Sequence, residues 1–455
     1  VSNVAKSHGD EEALVSGKYL SLGWMAGLAA WWGMAAGPLA AQERLSPLAT
    51  EVDRRIEAVM PKVIAWRRDI HQHPELSFAE VRTAKLVADH LQALGLEVRT
   101  GVGGTGVVGL LRGARPGPVV ALRADMDALP VTELVELPFK STVRAQYNGQ
   151  EVGVMHACGH DNHVAILMGA AEVLAGVRQQ LPGTVEFIFQ PAEEAVAGAK
   201  RMIEDGALGD PAPQAIFGLH VWPAPVGTLS YRAGAMMAAS DGLNIVVRGR
   251  QTHGALPWGG VDPIVVASQI VLALQTIPSR QLDVTKAPAV VTVGLIQGGT
   301  RGNIIPDSVV MQGTVRTFDE GMRADVKARI RRTVEAIAQS AGASASVDFG
   351  TGNAPVTYND PKLVERMLPT LRRVAGADKV SVSELSMPSE DFAYYQQKIP
   401  GMFVFLGVTP KDQDPATAPR NHSPYFFADE AALPVGVRAM AALAVDYLTG
   451  GDRGR

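Results

Sequence analysis

An α/β fold interrupted by a smaller ferredoxin-like α+β unit is predicted by three features of the sequence. Short apolar runs flanked by glycine and proline alternate with helical patterns through the first half of the chain, as in a sheet covered by helices. Polar residues of catalytic type fall at the ends of those runs, where α/β sheets gather their sites. From about Ser240 the rhythm changes to strand-helix-strand-strand-helix-strand, the ferredoxin-like order.

Taken in order, apolar residues at helical spacing run from Val52 to Leu94, broken at His73-Pro74 and ended by Gly95. Val107 to Leu111 and Val119 to Leu122 read as short buried strands, and Val164 to Leu174 as a helix. Val185 to Phe189 is a strand that stops at Gln190-Pro191-Ala192-Glu193-Glu194, and Ala215 to Leu219 is one that stops at His220. The second unit has strands at Leu243 to Val247, Ala289 to Leu295, Ser308 to Thr317 and Ala345 to Phe349. Its helices are Pro263 to Thr276 and Arg323 to Ser340. After Asn353 the α/β character returns, supplies His422, and closes with a helix from Leu433 to Leu448. The α/β domain therefore comprises residues 45–238 and 353–450, around an insert at 239–352.

The 455 residues suffice for two domains with a large core; 47% are hydrophobic and 19% charged, a globular composition. A net charge of −4 with no basic block excludes a nucleic-acid partner. Lys18 precedes an uncharged apolar run from Tyr19 to Gly37, followed by Pro38-Leu39-Ala40-Ala41. That is the signal-peptide pattern: cleavage is expected after Ala41, residues 1–17 being an upstream extension. The expected protein is exported, periplasmic or secreted, with no stable membrane association after cleavage. An uncleaved anchor is the alternative, because the run approaches the length that spans a bilayer.

The only cysteine, Cys158, stands in His156-Ala-Cys158-Gly-His160-Asp161-Asn-His163. For an arbitrary cysteine near a histidine, burial as a small hydrophobe is the commoner outcome. Here the density of ligand types and the absence of a disulfide partner in an exported chain favour a divalent metal, for which thiolate and imidazole are preferred ligands. Glu193-Glu194 would ordinarily be a solvated pair. At the end of a strand their side chains point in different directions, so one can bind metal while the other acts as general base; spacing leaves open which does which. His220 alone reads as a core histidine and His422 alone as a loop residue. Together with Cys158, His160 and a glutamate they suit a one- or two-ion site.

The motifs Arg68-Asp-Ile-His71-Gln-His73-Pro-Glu75, Arg123-Ala-Asp125-Met-Asp127-Ala-Leu-Pro130, His156 to His163, Gln190 to Glu194 and Gly218-Leu-His220 stand in the first α/β part. Gly299-Thr-Arg-Gly-Asn303-Ile-Ile-Pro306, Met387-Pro-Ser-Glu390-Asp391-Phe392 and Asn421-His422-Ser423-Pro424 follow. In this order, over about Ile56 to Leu448, they resemble the aminoacylase/carboxypeptidase family of two-metal peptidases, and in particular its amidohydrolase branch of hippurate hydrolases, N-acyl-amino-acid amidohydrolases and auxin-conjugate hydrolases. The resemblance implies a metallopeptidase-type catalytic domain whose insert serves as lid and dimerisation domain. It implies that Cys158, His160, Glu194, His220 and His422 hold two divalent ions, zinc or manganese with cobalt or nickel as alternatives, and that Glu193 is the general base. Asp125 stands where the carboxypeptidase branch has a metal-binding histidine, so Asp125 and Asp127 are expected to support the site rather than bind metal. His253 is implied to polarise the scissile carbonyl, in family members often from the partner subunit, and Asn303 and Arg316 to recognise the substrate carboxylate. The implied substrate is an N-acyl amino acid. A dipeptidase or carboxypeptidase using the same residues is the near alternative. A binding protein that kept the fold without the chemistry would have lost a ligand or the base, and none is missing.

Overall fold

A computed structural model describes residues 46–450; the expected signal peptide at 1–41 lies outside the described residues. The large sheet has eight strands in the order Glu97–Val102, Gly106–Arg112, Pro182–Gln190, Arg115–Asp125, Ala215–Pro225, Gly401–Thr409, Leu229–Tyr231 and Val380–Val382. Its middle is parallel, from Pro182–Gln190 across to Gly401–Thr409, and the two strands at the Glu97 side run antiparallel. The middle strands are buried on both faces, which is why they read as continuous apolar runs rather than alternating ones.

One face of the sheet is covered by the helices Pro47–Gln72, His160–Gly176, Pro361–Ala375 and Leu433–Thr449, which share the main hydrophobic core with it. The other face carries Met202, Met236, Phe392 and Tyr395 from short segments packed on Ile188, Ile216 and Phe403. The helix Leu433–Thr449 lies within the stretch Glu430–Thr449, apolar and long enough to cross a membrane; most of that stretch is buried against the core.

Helix His160–Gly176 is the element that matters most for the site. Every side chain from His160 to Ala171 is buried, so it runs through the middle of the helical layer. Sequence spacing starts this helix at Val164. The structure starts it at His160, because Gly159 at φ 93 supplies the left-handed residue that turns the chain into the helix, and a Cβ there would overlap Val221. The strand expected to end at His220 also runs on to Pro225, since its pairing with Gly401–Thr409 continues through Phe405 opposite His220 to Thr409 opposite Pro225. The helical stretch expected from Val52 to Leu94 is two helices, Pro47–Gln72 and Val81–Ala93, parted by the loop that contains His73-Pro74.

A second sheet of four antiparallel strands has the order Ala289–Gly298, Ser308–Thr317, Ala239–Arg248, Ser344–Asp348. With helices Pro263–Thr276 and Glu320–Ser340, capped by Asp262 and Asp319, it forms the ferredoxin-like arrangement around a core of its own. Strand Ala239–Arg248 alternates buried and half-buried residues, as expected of a strand with one face on that core. Strand Ala289–Gly298 is an outer strand of this sheet and leaves Val290, Leu295 and Ile296 exposed.

Candidate metal centre

Three backbone features bring the motifs to one place. The turn His156–Gly159 leads into the buried helix, Ala215–Pro225 carries His220 beside it, and the segment after Pro182–Gln190 presents Glu193 and Glu194. Asn421 fastens the fourth piece: its side-chain amide donates to the carbonyls of Cys158 (2.9 Å) and Val221 (3.3 Å), while the His422 N–H donates to Ala157 O (2.8 Å). The candidate ligand atoms of Cys158, His160 and His220 lie within 4.8 Å of one another. So do those of Cys158, Glu194 and His422, and those of His160, Glu193 and Glu194. Cys158, His160 and Glu194 thus each belong to two of these adjoining groups.

Hydrogen bonds fix which nitrogen of each imidazole faces this cluster. Nδ1 of His160 lies 2.8 Å from Asp127 O and Nδ1 of His220 lies 2.7 Å from Val221 O, so both nitrogens carry the proton that those carbonyls accept. The Nε2 atoms are left facing inward, that of His220 at 3.4 Å from Cys158 Sγ. His160 Nε2 and Glu194 Oε1 are buried with no hydrogen-bond partner, although His422 Nε2 is 3.3 Å from the latter. Buried polar atoms are rarely left unpaired.

Electrostatics points the same way. Burial, then Glu194 and Glu193, push the Cys158 thiol well above its usual range. Burial, then His163, keep His220 neutral. Burial opposes charge on His160 as well, but Asp125 and Asp127 outweigh it and raise that imidazole to about 10. A proton on Nε2 of His160 would have no acceptor within hydrogen-bond distance, Asp125 Oδ2 standing at 3.6 Å; a metal cation meets the same demand for positive charge and would hold Cys158 as thiolate. The donor set of sulfur, nitrogen and carboxylate oxygen fits a borderline divalent ion.

The neighbouring acidic groups are engaged differently. His163 accepts from the Val221 N–H at Nε2 (2.8 Å) and meets Asp125 through Nδ1 (2.5 Å), so neither nitrogen is free. Arg123, fully buried, reaches Asp125 (2.7 Å), Gln190 (2.9 Å), Glu390 (2.9 Å) and Asp391 (3.0 Å). Asp127 accepts the N–H of Glu193 on one oxygen and that of Glu194 on the other, both at 3.0 Å, and the Ser77 hydroxyl at 2.6 Å. Burial, then Glu390 and Glu194, push the Glu193 carboxyl well above its usual range. Glu390 and Asp391, in the motif Met387 to Phe392, come from the irregular segment before the helix Ala393–Gln396 and meet Arg123 and Gln190, which lie on adjacent strands; that meeting is between positions so distant in sequence that spacing does not reveal it.

Two cavities open on Glu193 and Glu194. One, of about 530 Å³, is lined by Cys158 and His220 together with Trp222 and Phe405, whose rings stack at 4.5 Å with 20° between their planes. The other, of about 560 Å³, brings in the ferredoxin-like unit through Ser240, Val290, Thr292, Thr314 and Arg316. Arg316 Nη1 is buried and unpartnered. The structure therefore gathers Cys158, His160, Glu193, Glu194, His220, His422 and Arg316. His253 and Asn303 line neither cavity; they meet at the small two-stranded sheet of Thr252–His253 with Ile304–Ile305, where Gly254 N–H donates to Asn303 O.

The family model for peptidase family M20/M25/M40 matches residues 121–446. The chain belongs to that family. It is 41% identical to thermostable carboxypeptidase 2 of Saccharolobus solfataricus, over 88% of this chain and 99% of that protein. It is likewise 41% identical to the N-acetylcysteine deacetylase of Bacillus subtilis, over 86% of this chain and 98% of the relative. Among solved structures, a dinuclear metal binding peptidase of the M20 family from Bacillus subtilis superposes with a TM-score of 0.72 at 39% identity. That match covers 86% of this chain and 99% of the other.

Proposed function

We propose that this M20 member is a metal-dependent amidohydrolase that cleaves the amide of an N-acyl amino acid to a carboxylic acid and a free amino acid. The observation that carries the reading is the convergence of inward-facing, unpartnered donor atoms beside Glu193, in a cleft that the unpartnered guanidinium of Arg316 also faces. In this reading Cys158, His160, Glu194, His220 and His422 hold two divalent ions, of zinc, manganese, cobalt or nickel. Bound divalent ions acidify water and stabilise the negative charge that develops on an acyl oxygen. Glu193 takes the proton of the attacking water and returns it to the leaving nitrogen, a role that its place beside His160 and Glu194 allows. Arg316 pairs with the carboxylate of the amino-acid half. The acyl group lies against Trp222 and Phe405, in a cavity with room for an aromatic ring.

His253 and Asn303 line neither cavity of their own chain, and we assign them to the cleft of a second copy. His253 would donate to the developing oxyanion and Asn303 to the substrate carboxylate, in a homodimer formed through the ferredoxin-like unit, where Leu272 and Ile296 are exposed. The apolar run before Ala41 supports action after export.

Carboxypeptidase action is the second reading, favoured by the likeness to the Saccharolobus protein. The test is a panel of N-acetyl and N-benzoyl amino acids beside unprotected dipeptides and longer peptides, given to metal-depleted protein refilled with one ion at a time. Release of amino acid from the N-acyl substrates with higher kcat/KM than from peptides is the expected outcome. Preference for peptides under every ion would establish the second reading, and no release from any substrate would reject both.

A further inference from the structure

The loop that joins Pro47–Gln72 to Val81–Ala93 has no part in the roles above, yet it is tied directly to the catalytic segment. Glu75 caps the second helix by accepting from the N–H groups of Arg82 and Thr83, both at 2.8 Å. The Ser77 hydroxyl donates to Asp127. Glu80 has no solvent exposure. One oxygen accepts from the Phe78 N–H (3.0 Å) and from the Ala192 N–H (2.9 Å), and the other from the Thr105 hydroxyl (2.5 Å).

Ala192 is in the left-handed region at φ 52, and Phe78, sharing the same carboxylate oxygen, is there at φ 64. Residues with a Cβ enter that region only when the surroundings hold them there. The next two N–H groups along the chain, of Glu193 and Glu194, are taken by the two oxygens of Asp127. Three consecutive amides are thus held by two buried carboxylates at the point where the chain leaves Pro182–Gln190. The turn at Ala192 sets the directions in which the Glu193 and Glu194 side chains leave the backbone.

We propose that Glu80 is a positioning residue for the reaction: it pins Ala192 in its left-handed conformation and so aims Glu193 and Glu194, touching neither substrate nor metal. The proposal rests on the amidohydrolase reading for what the aim accomplishes, but the hold itself is readable without turnover.

The test compares Glu80→Ala, Glu80→Gln and the double variant Glu80→Ala/Ala192→Gly in the full chain. Amide hydrogen exchange is read over the peptide 190–198 in metal-free protein, and kcat and KM after metal refilling. Glu80→Ala is expected to speed exchange in that peptide and to lower kcat by about a hundredfold with little change in KM, the cost of a small misplacement of reacting groups. Glu80→Gln keeps an acceptor for Ala192, while Thr105 Oγ can accept from its amide, so protection and most of kcat return. Glycine adopts the left-handed turn unaided, so the double variant should regain about tenfold in kcat over Glu80→Ala. Should Glu80→Ala not fold, Thr105→Val loosens the same carboxylate, with faster exchange over 190–198 and a lower kcat expected. Wild-type exchange and kcat in Glu80→Ala or its Thr105→Val substitute, equal impairment in Glu80→Gln, or no gain from Ala192→Gly would overturn the proposal. An inactive wild-type enzyme would instead reject the amidohydrolase reading, leaving the exchange data to decide whether Glu80 holds the turn.

Discussion

Two clusters of buried charge stand side by side in this protein and differ in one respect. Around Arg123, the groups of Asp125, Gln190, Glu390, Asp391 and His163 engage one another through short hydrogen bonds. Around Cys158, the Nε2 of His160 and an oxygen of Glu194 find no partner, and the thiol faces the bare nitrogen of His220. Proximity alone does not separate them, since Asp125, His160 and His163, or Glu193, Glu390 and Asp391, also converge closely enough to hold an ion. Hydrogen-bond accounting does: a lone pair already given to a guanidinium or an amide is scaffold, and several left over that converge on one point are a site.

The comparison is broken most severely at Glu193, which sits between the two clusters and within reach of both. Glu193→Gln keeps the side chain's shape and removes the base, so kcat should fall by about a thousandfold or more while bound metal stays at the wild-type level. Metal analysis alongside steady-state kinetics on an N-acyl amino acid checks this; a variant with wild-type turnover would remove Glu193 from the mechanism. The next largest effect separates the clusters by stability. Arg123→Met leaves Asp125, Glu390 and Asp391 buried without their cation, which should cost about 3–5 kcal/mol in metal-free protein. Cys158→Ala under the same conditions should stay within about 1 kcal/mol of wild type yet lose metal, because nothing in the scaffold depends on the thiol. Urea unfolding of both proteins with chelator present decides it, and equal destabilisation would erase the distinction between site and scaffold.

The same distinction explains what could be read before the fold was known. The convergence of Cys158, His160, Glu193, Glu194 and His220 was legible because ligand-type residues sat at the ends of mainly apolar runs, and the strands Pro182–Gln190 and Ala215–Pro225 are buried along most of their length. Strand Glu97–Val102 was not legible, since it lies at the sheet edge with most of its residues exposed and carries no alternation. The tie between Glu80 and Ala192 spans 112 positions and leaves no periodic trace, so only the fold exposes it. His253 and Asn303 show the reverse limit: the family resemblance implied substrate contact, but neither lines a cavity at Glu193 and Glu194 in its own chain.

Arg316 tests whether an unpartnered group outside the metal cluster obeys the same rule. Its buried Nη1 has no acceptor, and burial lowers the pKa of the guanidinium, a cost that a substrate carboxylate would offset. Arg316→Gln should therefore reduce kcat/KM for N-acyl amino acids by roughly ten- to a hundredfold, the worth of a charge-assisted hydrogen bond. The corresponding N-acyl amino-acid amides, which lack the carboxylate, should be hydrolysed equally by variant and wild type. A uniform loss on both substrate sets would assign Arg316 to the architecture of the cleft.

Glu186 is the smallest and cleanest case, a buried carboxyl in neither cluster. It lies in the strand Pro182–Gln190 with one oxygen unpartnered, and burial pushes it up to about 8, with Arg99 only partly opposing. In the unfolded chain the group titrates near the ordinary 4.5, so between these values the folded protein binds a proton that the unfolded chain does not. Its contribution to stability is therefore complete below about pH 4.5 and is lost as pH rises through about 8, at no more than about 1.4 kcal/mol per pH unit. Glu186→Gln removes that dependence: variant and wild type should unfold at similar urea concentrations at pH 5, and the variant should be the more stable at pH 8. Activity should not change, because an unpartnered atom with no converging donors around it has nothing to bind. Parallel stability curves across that range would mean that the Glu186 carboxylate finds a partner when it ionises, and an unpaired atom in the fold would then no longer suffice to mark a buried group as strained.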